Sequence, residues 1–180
     1  MRDILRRPFF RRAAPGGTMK ISVMAATDTG RVRDHNEDCY TALGGKSSPP
    51  GVDALLVVAD GMGGHAAGEI ASQMTVDGIE RLLVSEDLES PDLEGNVFGA
   101  FLGKVLEDVN QKVWQAGQDP EKQGMGTTCT LAVIRGDQLF LAHIGDSRAY
   151  LLRDGELHQV STDHSWVEEA VAMGTLTREE

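Results

Sequence analysis

The stretch "LLVVADGMGGHAAGEIAS", residues 55–72, constrains this chain more than any other. An unbroken apolar run, short enough for a strand covered on both sides, ends on a lone acid, Asp60. Small residues follow at once: Gly61, Gly63, Gly64, Ala66 and Ala67. A carboxylate at the tip of a buried strand, beside a backbone stripped of side chains, suits a small charged ligand. That ligand is either a phosphate or a metal ion.

Three phosphate or metal patterns come close and fail. Gly61, Gly63 and Ala66 match a dinucleotide-binding G-x-G-x-x-A. Asp60 would push its charge toward the pyrophosphate, however, and no train of βαβ units follows. "FGAFLGKV" resembles a P-loop, but its lead glycine is one residue out of place, and Val105 stands where Ser or Thr must hold magnesium. "DHNEDCYTALGG" opens like a calcium loop from Asp34, yet carries Cys39 where glycine is needed and Gly45 where glutamate is needed. A hard divalent cation such as magnesium or manganese accounts for the carboxylate and the glycines together. Asp60 supplies an oxygen ligand from a rigid strand end, and Gly61 lets its carbonyl approach the same ion. One aspartate does not hold a catalytic metal, and "TDTGRVRDHNEDCY" supplies partners. Glu37 and Asp38 are adjacent carboxylates, and Arg33 precedes Glu37 by four residues. A guanidinium beside a carboxylate cluster grips a phosphate through two parallel hydrogen bonds.

The pattern of elements is α+β. "KISVMAAT" alternates from Ile21 to Ala25 and reads as a strand with one wet face. A helical pattern runs from Ala66 through Ile70, Met74, Ile79, Leu82 and Leu83. After a loop broken by Pro91 and Gly95, a second helix places Val97, Phe101, Val105, Val109 and Val113 at successive i+4 steps. Four strands follow, "TTCTLAVI", "QLFLAHI", "RAYLLR" and "LHQVS". Their connectors are too short for parallel crossovers, which predicts antiparallel neighbours. The length suits one domain.

The net charge of −11 argues against nucleic acid as a partner. No run approaches the length of a membrane span. Cys39 and Cys129 show no CxxC spacing and read as reduced thiols, which places the chain in the cytoplasm. Residues 1–18 form a basic tail around Arg2, Arg6, Arg7, Arg11 and Arg12, with no secretory signal. It reads as disordered or as sequence upstream of a start at Met19, with contact to an anionic partner as the alternative. Residues 19–180 are then the patterned domain.

Five ordered blocks carry a specific resemblance: "TDTGRVRDHNED", "VVADGMGGHAAGEIAS", "GMGTTCTLAVI", "AHIGDSRAYLLRDGELHQVSTDHS" and "VEEAVAMGTLTREE". From about Ile21 onward the chain resembles the metal-dependent serine/threonine protein phosphatases of type 2C, in their bacterial style. The resemblance implies an antiparallel β-sandwich flanked by helices in four layers, α-β-β-α. It implies two Mn2+ or Mg2+ ions, with a third, weaker one, and hydrolysis of phosphoserine and phosphothreonine by a water activated between two metals. In that reading Asp60 bridges both ions, Gly61 adds its carbonyl, and Glu37 and Asp38 hold one ion. Asp146, in "IGDSRAY", matches an acid of the additional metal site, against the plainer reading of a turn acid. Arg33 binds the substrate phosphate. The partners implied are phosphorylated proteins, the substrates of a serine/threonine kinase.

Where some family members carry a proton-donating His after the Asp-Gly pair, this chain has Met62. His65 reads as packing at the helix start, Asp163 as structural, and His35, His143, His158 and His164 show no ligand spacing. The family's two downstream aspartates, in "SDG"- and "DN"-type blocks, have no counterpart here, and "TREE" falls inside a charged helical stretch. The fold is therefore expected to be incomplete at its C-terminal side and the chain alone to be inactive. The alternative function is a catalytically dead remnant that binds phosphoproteins or other partners.

Overall fold

The computed structural model describes residues 20–63, 67–90 and 92–164. The basic tail, His65 with its immediate neighbours, and the charged stretch expected to be helical after Ser165 lie outside them. Among the described residues the order is β1 (Asp38–Gly44), β2 (Ala54–Met62), α1 (Ala67–Ser85), α2 (Asn96–Ala116), β3 (Gly126–Thr127), β4 (Cys129–Arg135), β5 (Gln138–Ile144), β6 (Tyr150–Arg153) and β7 (Glu156–Gln159). All pairings are antiparallel. β1, β2, β4 and β5 lie side by side in that order, with β3 continuing alongside the end of β2, and β6–β7 form a separate hairpin.

The core lies between the sheet and the two helices. Alternate residues of β2 (Leu55, Val57, Ala59) and of β4 (Cys129, Leu131, Val133) are buried on the helix side. α1 answers with Ala71, Val76, Ile79 and Leu83. α2 docks through Phe98, whose ring meets Phe140 of β5 edge-on at 4.8 Å. The buried stripe of α2 is Phe98, Leu102, Val105, Val109 and Val113, so the expected stripe holds only for its last three members. Val97 is exposed, and Phe101 is only half-buried. With about 3.6 residues per turn, successive i+4 steps drift by roughly 40° each. A stripe anchored at Val113 therefore leaves the buried face four steps earlier.

Three other expectations differ from the structure. Ile21–Ala25 joins no ladder among the described residues. Its inside–outside alternation holds from Ile21 to Met24, with Ala25 exposed, and Val23 lies against Gly44 of β1. Among the described residues, β2 is covered on one side only. On the other side Val58 and its cross-strand neighbour Tyr40 remain exposed, with Met24–Thr27 leaving a cavity of about 180 Å³ beside them. The apolar run hid this because Val58 and Leu56 satisfy strand propensity without needing cover. Finally, β5 and β6 are not neighbours. The short connector at Gly145–Ser147 carries the chain out of the larger sheet instead of reversing it within the sheet.

Candidate metal centre

Asp38 and Asp60 face each other at the open end of the β1–β2 ladder. The register puts them on the same side as Tyr40 and Val58, away from α1, because directly paired residues share a face and alternate residues return to it. Glu37, one residue earlier, goes the other way. Its carboxylate lies against Gly68 in the first turn of α1, and Oε1 is buried there with no hydrogen-bond partner. A Cβ on Gly68 would fall 2.6 Å from that oxygen, and one on Gly61 would fall 2.1 Å from the Gly68 carbonyl. Only glycine fits either position. The sequence pattern leaves Gly61 bare for an ion's approach, whereas its close neighbour in the structure is the helix backbone. The backbone of Glu37 is held as well: its carbonyl accepts from the Gly61 N–H at 3.2 Å and from the Ser72 hydroxyl at 2.6 Å.

The ladder is interrupted opposite Asp60, between β3 and β4, and Thr128 fills the gap. Its N–H donates to the Asp60 carbonyl at 2.9 Å. The Asp60 N–H in turn donates to the Thr128 hydroxyl at 3.0 Å, a side-chain oxygen standing where a backbone carbonyl would. The same hydroxyl meets that of Ser147 at 2.7 Å. Ser147 follows Asp146, in the turn after β5. That turn is pinned at Gly145, whose carbonyl accepts from the His164 N–H at 2.7 Å and lies 3.0 Å from His143 Nε2. Asp163, expected to be structural, forms a forked pair with Arg148, its oxygens 2.6–3.0 Å from the guanidinium nitrogens.

The electrostatics converge on Asp60. Its carboxyl is held above the ordinary value of 3.8, first by partial desolvation, then by the charge and hydrogen bond of Asp38, then by the charges of Asp146 and Glu37. The charges that raise it most are all other carboxylates. Four of the expected acids are thus gathered in one neighbourhood. Among the described residues, however, no three His, Cys, Asp or Glu side chains close into a metal-binding group. Arg33 is exposed in a loop pinched shut by the hydrogen bond from Asn36 to Thr27, 2.7 Å, and it pairs with none of these acids. Exposed Met62 borders the site.

These residues fit a hard divalent cation. The donors are all oxygens, one buried carboxylate oxygen lacks any partner, and the neighbouring acids raise the cost of ionising Asp60. Thr128 and Ser147 went unnoticed in the sequence. Their signal was the pair of threonines placed directly before an apolar strand, where hydroxyls bond to the neighbouring backbone.

The protein phosphatase 2C model matches residues 31–179. Protein phosphatase PhpP of Streptococcus pneumoniae is 39% identical over 165 residues, spanning 90% of this chain and 62% of the relative. Serine/threonine protein phosphatase PstP of Mycobacterium tuberculosis is 40% identical over 163 residues, spanning 91% of this chain and 29% of its own. The structure of the S. agalactiae serine/threonine phosphatase superposes with a TM-score of 0.74 at 37% identity, over 86% of this chain and 61% of that one. The catalytic domain of PstP in complex with 2 manganese ions gives 0.65 at 40% identity, over 84% and 60%. The chain thus spans at most about three-fifths of these proteins. A model match over most of its length, with the antiparallel sheets and paired helices of the solved relatives, makes this chain a member of the protein phosphatase 2C family.

Proposed function

We propose that this chain carries part of the centre of a metal-dependent phosphatase that hydrolyses phosphoserine and phosphothreonine in proteins. The observation that carries the reading is the carboxylate crowding at Asp60, an arrangement that costs free energy until a cation offsets it. A relative crystallised with two manganese ions supports the choice of metal. Bound Mn2+ or Mg2+ supplies an acidified water and a Lewis acid for the phosphoryl oxygens.

Asp60 and Asp38 would hold the central ions, with the Gly61 carbonyl beside them. Glu37 would reach them from the helix side, and Asp146 would serve a third, weaker site. Arg33 would orient the substrate phosphate from its loop. Met62 has no proton to give, so this position does not protonate the leaving alkoxide. The substrates would be proteins phosphorylated by a serine/threonine kinase in the cytoplasm. No helix of the described residues is long and apolar enough to cross a membrane.

The test compares the chain, and a version extended to its relatives' length, with their Asp60→Asn and Arg33→Ala variants. Asp60→Asn is expected to abolish Mn2+ uptake by electron paramagnetic resonance and Mn2+-dependent hydrolysis of an aryl phosphate. Arg33→Ala should leave Mn2+ uptake intact and raise KM, by the equivalent of about 1.5–3 kcal/mol for a charge-assisted contact. Normal turnover in Asp60→Asn refutes the assignment. Phosphopeptide binding without turnover in the extended chain identifies a binding module instead.

A further inference from the structure

We propose that Thr128 is a positioning residue that ties Asp60 to the Asp146 turn, so that the two acids are set as one unit. The inference rests on the reading of Asp60 as a metal ligand.

The geometry makes Thr128 a hub. It holds both backbone polar groups of Asp60, the carbonyl through its N–H at 2.9 Å and the N–H through its hydroxyl at 3.0 Å. That hydroxyl has further hydrogen-bonding capacity, which it shares with Ser147 at 2.7 Å. The rest of the side chain acts sterically. Gly145 has φ +103, and a Cβ there would fall 2.6 Å from Thr128 Cγ2 and 2.7 Å from its Cβ. The turn bearing Asp146 is therefore seated against Thr128 from both ends, by packing at residue 145 and by a hydrogen bond at residue 147.

The arrangement is not explained by strand formation. A strand at this point needs only backbone partners, and an aliphatic β-branched residue would serve it as well. The hydroxyl is what connects two acids that lie 86 positions apart in the sequence. Partners that orient ligands in this way typically matter by about 10- to 100-fold in metal affinity.

The test measures Mn2+ dissociation constants of the chain extended to its relatives' length by electron paramagnetic resonance, with thermal melts of the metal-free proteins alongside. Thr128→Val keeps the branched shape and removes the hydroxyl; it should weaken Mn2+ binding about tenfold or more. Thr128→Ser restores the hydroxyl and should return affinity to within about twofold of the parent. Ser147→Ala cuts only the link to the turn, and combining it with Thr128→Val should add little to the latter alone. A purely structural role predicts a lower melting temperature with unchanged affinity. Parent-like affinity in Thr128→Val, or a Thr128→Ser as weak as the valine variant, overturns the proposal. Should Thr128→Val fail to fold, Ser147→Ala decides, weakened binding supporting the coupling and parent-like binding overturning it. Asp60→Asn separates the two readings: a parent that takes up no Mn2+ refutes the metal centre and the coupling with it, whereas Asp60-dependent uptake indifferent to Thr128 refutes the coupling alone.

Discussion

An aspartate at the end of a strand usually ionises near 3.8, but Asp60 is held above that value by desolvation and by Asp38, Asp146 and Glu37. The sign of the consequence is fixed. A carboxyl with a higher proton affinity folded than unfolded costs stability once it ionises, so above its folded value the metal-free protein is strained at this point. Asp60→Asn removes the charge and keeps the shape. The metal-free variant is therefore expected to melt no lower than the parent near pH 7, and above it if the crowding dominates, while losing all stabilisation by added Mn2+. Differential scanning calorimetry with and without the metal checks both parts. A variant that melts lower in the absence of metal would mean that Asp60 has a structural role as a charge. Binding sites are often kept at such a cost to the unliganded fold.

At the level of elements, β4 and β5 meet through Thr130 and His143, paired directly across the ladder and joined at 2.9 Å from Oγ1 to Nδ1. Burial, and then the neighbouring His164, hold His143 below its ordinary value of 6.5. The fold thus favours the neutral ring. Its contribution to stability is complete above pH 6.5 and fades as acidification protonates the unfolded chain preferentially. His143→Gln should flatten the fall in melting temperature on going below pH 6.5; an unchanged acid limb would show that another group controls it. Much at this scale was legible beforehand. β2 and the loop before β1 were readable because Asp60, Glu37 and Asp38 stand beside sharp changes in hydropathy. The partial stripe on α2 was readable for its last three members. The strand expected at Ile21–Ala25 was not, because alternation registers two faces but says nothing of a pairing partner. The threonine pair before β4 signals a hydroxyl bonding nearby backbone but not which one: hydroxyls that brace a neighbouring strand leave no periodic trace, and their targets lie far off in sequence.

For the molecule as a whole, the two helices and the core occupy one side of the larger sheet, while the site and an open apolar surface share the other. Tyr40 and Val58 keep 40% and 49% of their surface exposed. Tyr40 and Val58 are direct cross-strand partners, and Thr130 flanks Val58 on the other strand. Apolar strand faces of this kind favour association between copies, and neither residue carries a charge that would oppose it. The chain's acidity works against this, since like net charge keeps molecules apart at low ionic strength. Salt screens that repulsion over about 10 Å at 0.1 M and leaves the apolar attraction. Residues 1–180 are therefore expected to associate more as salt rises, the reverse of a contact held by charge. Val58→Thr keeps the branched shape that a strand favours and makes the face more polar, so it should shift this onset to higher protein concentration without lowering the melting temperature appreciably. Size-exclusion chromatography with light scattering across salt and protein concentration reads the effect. A parent that stays monomeric throughout, or a Val58→Thr variant that associates as the parent does, would show that this face does not drive association.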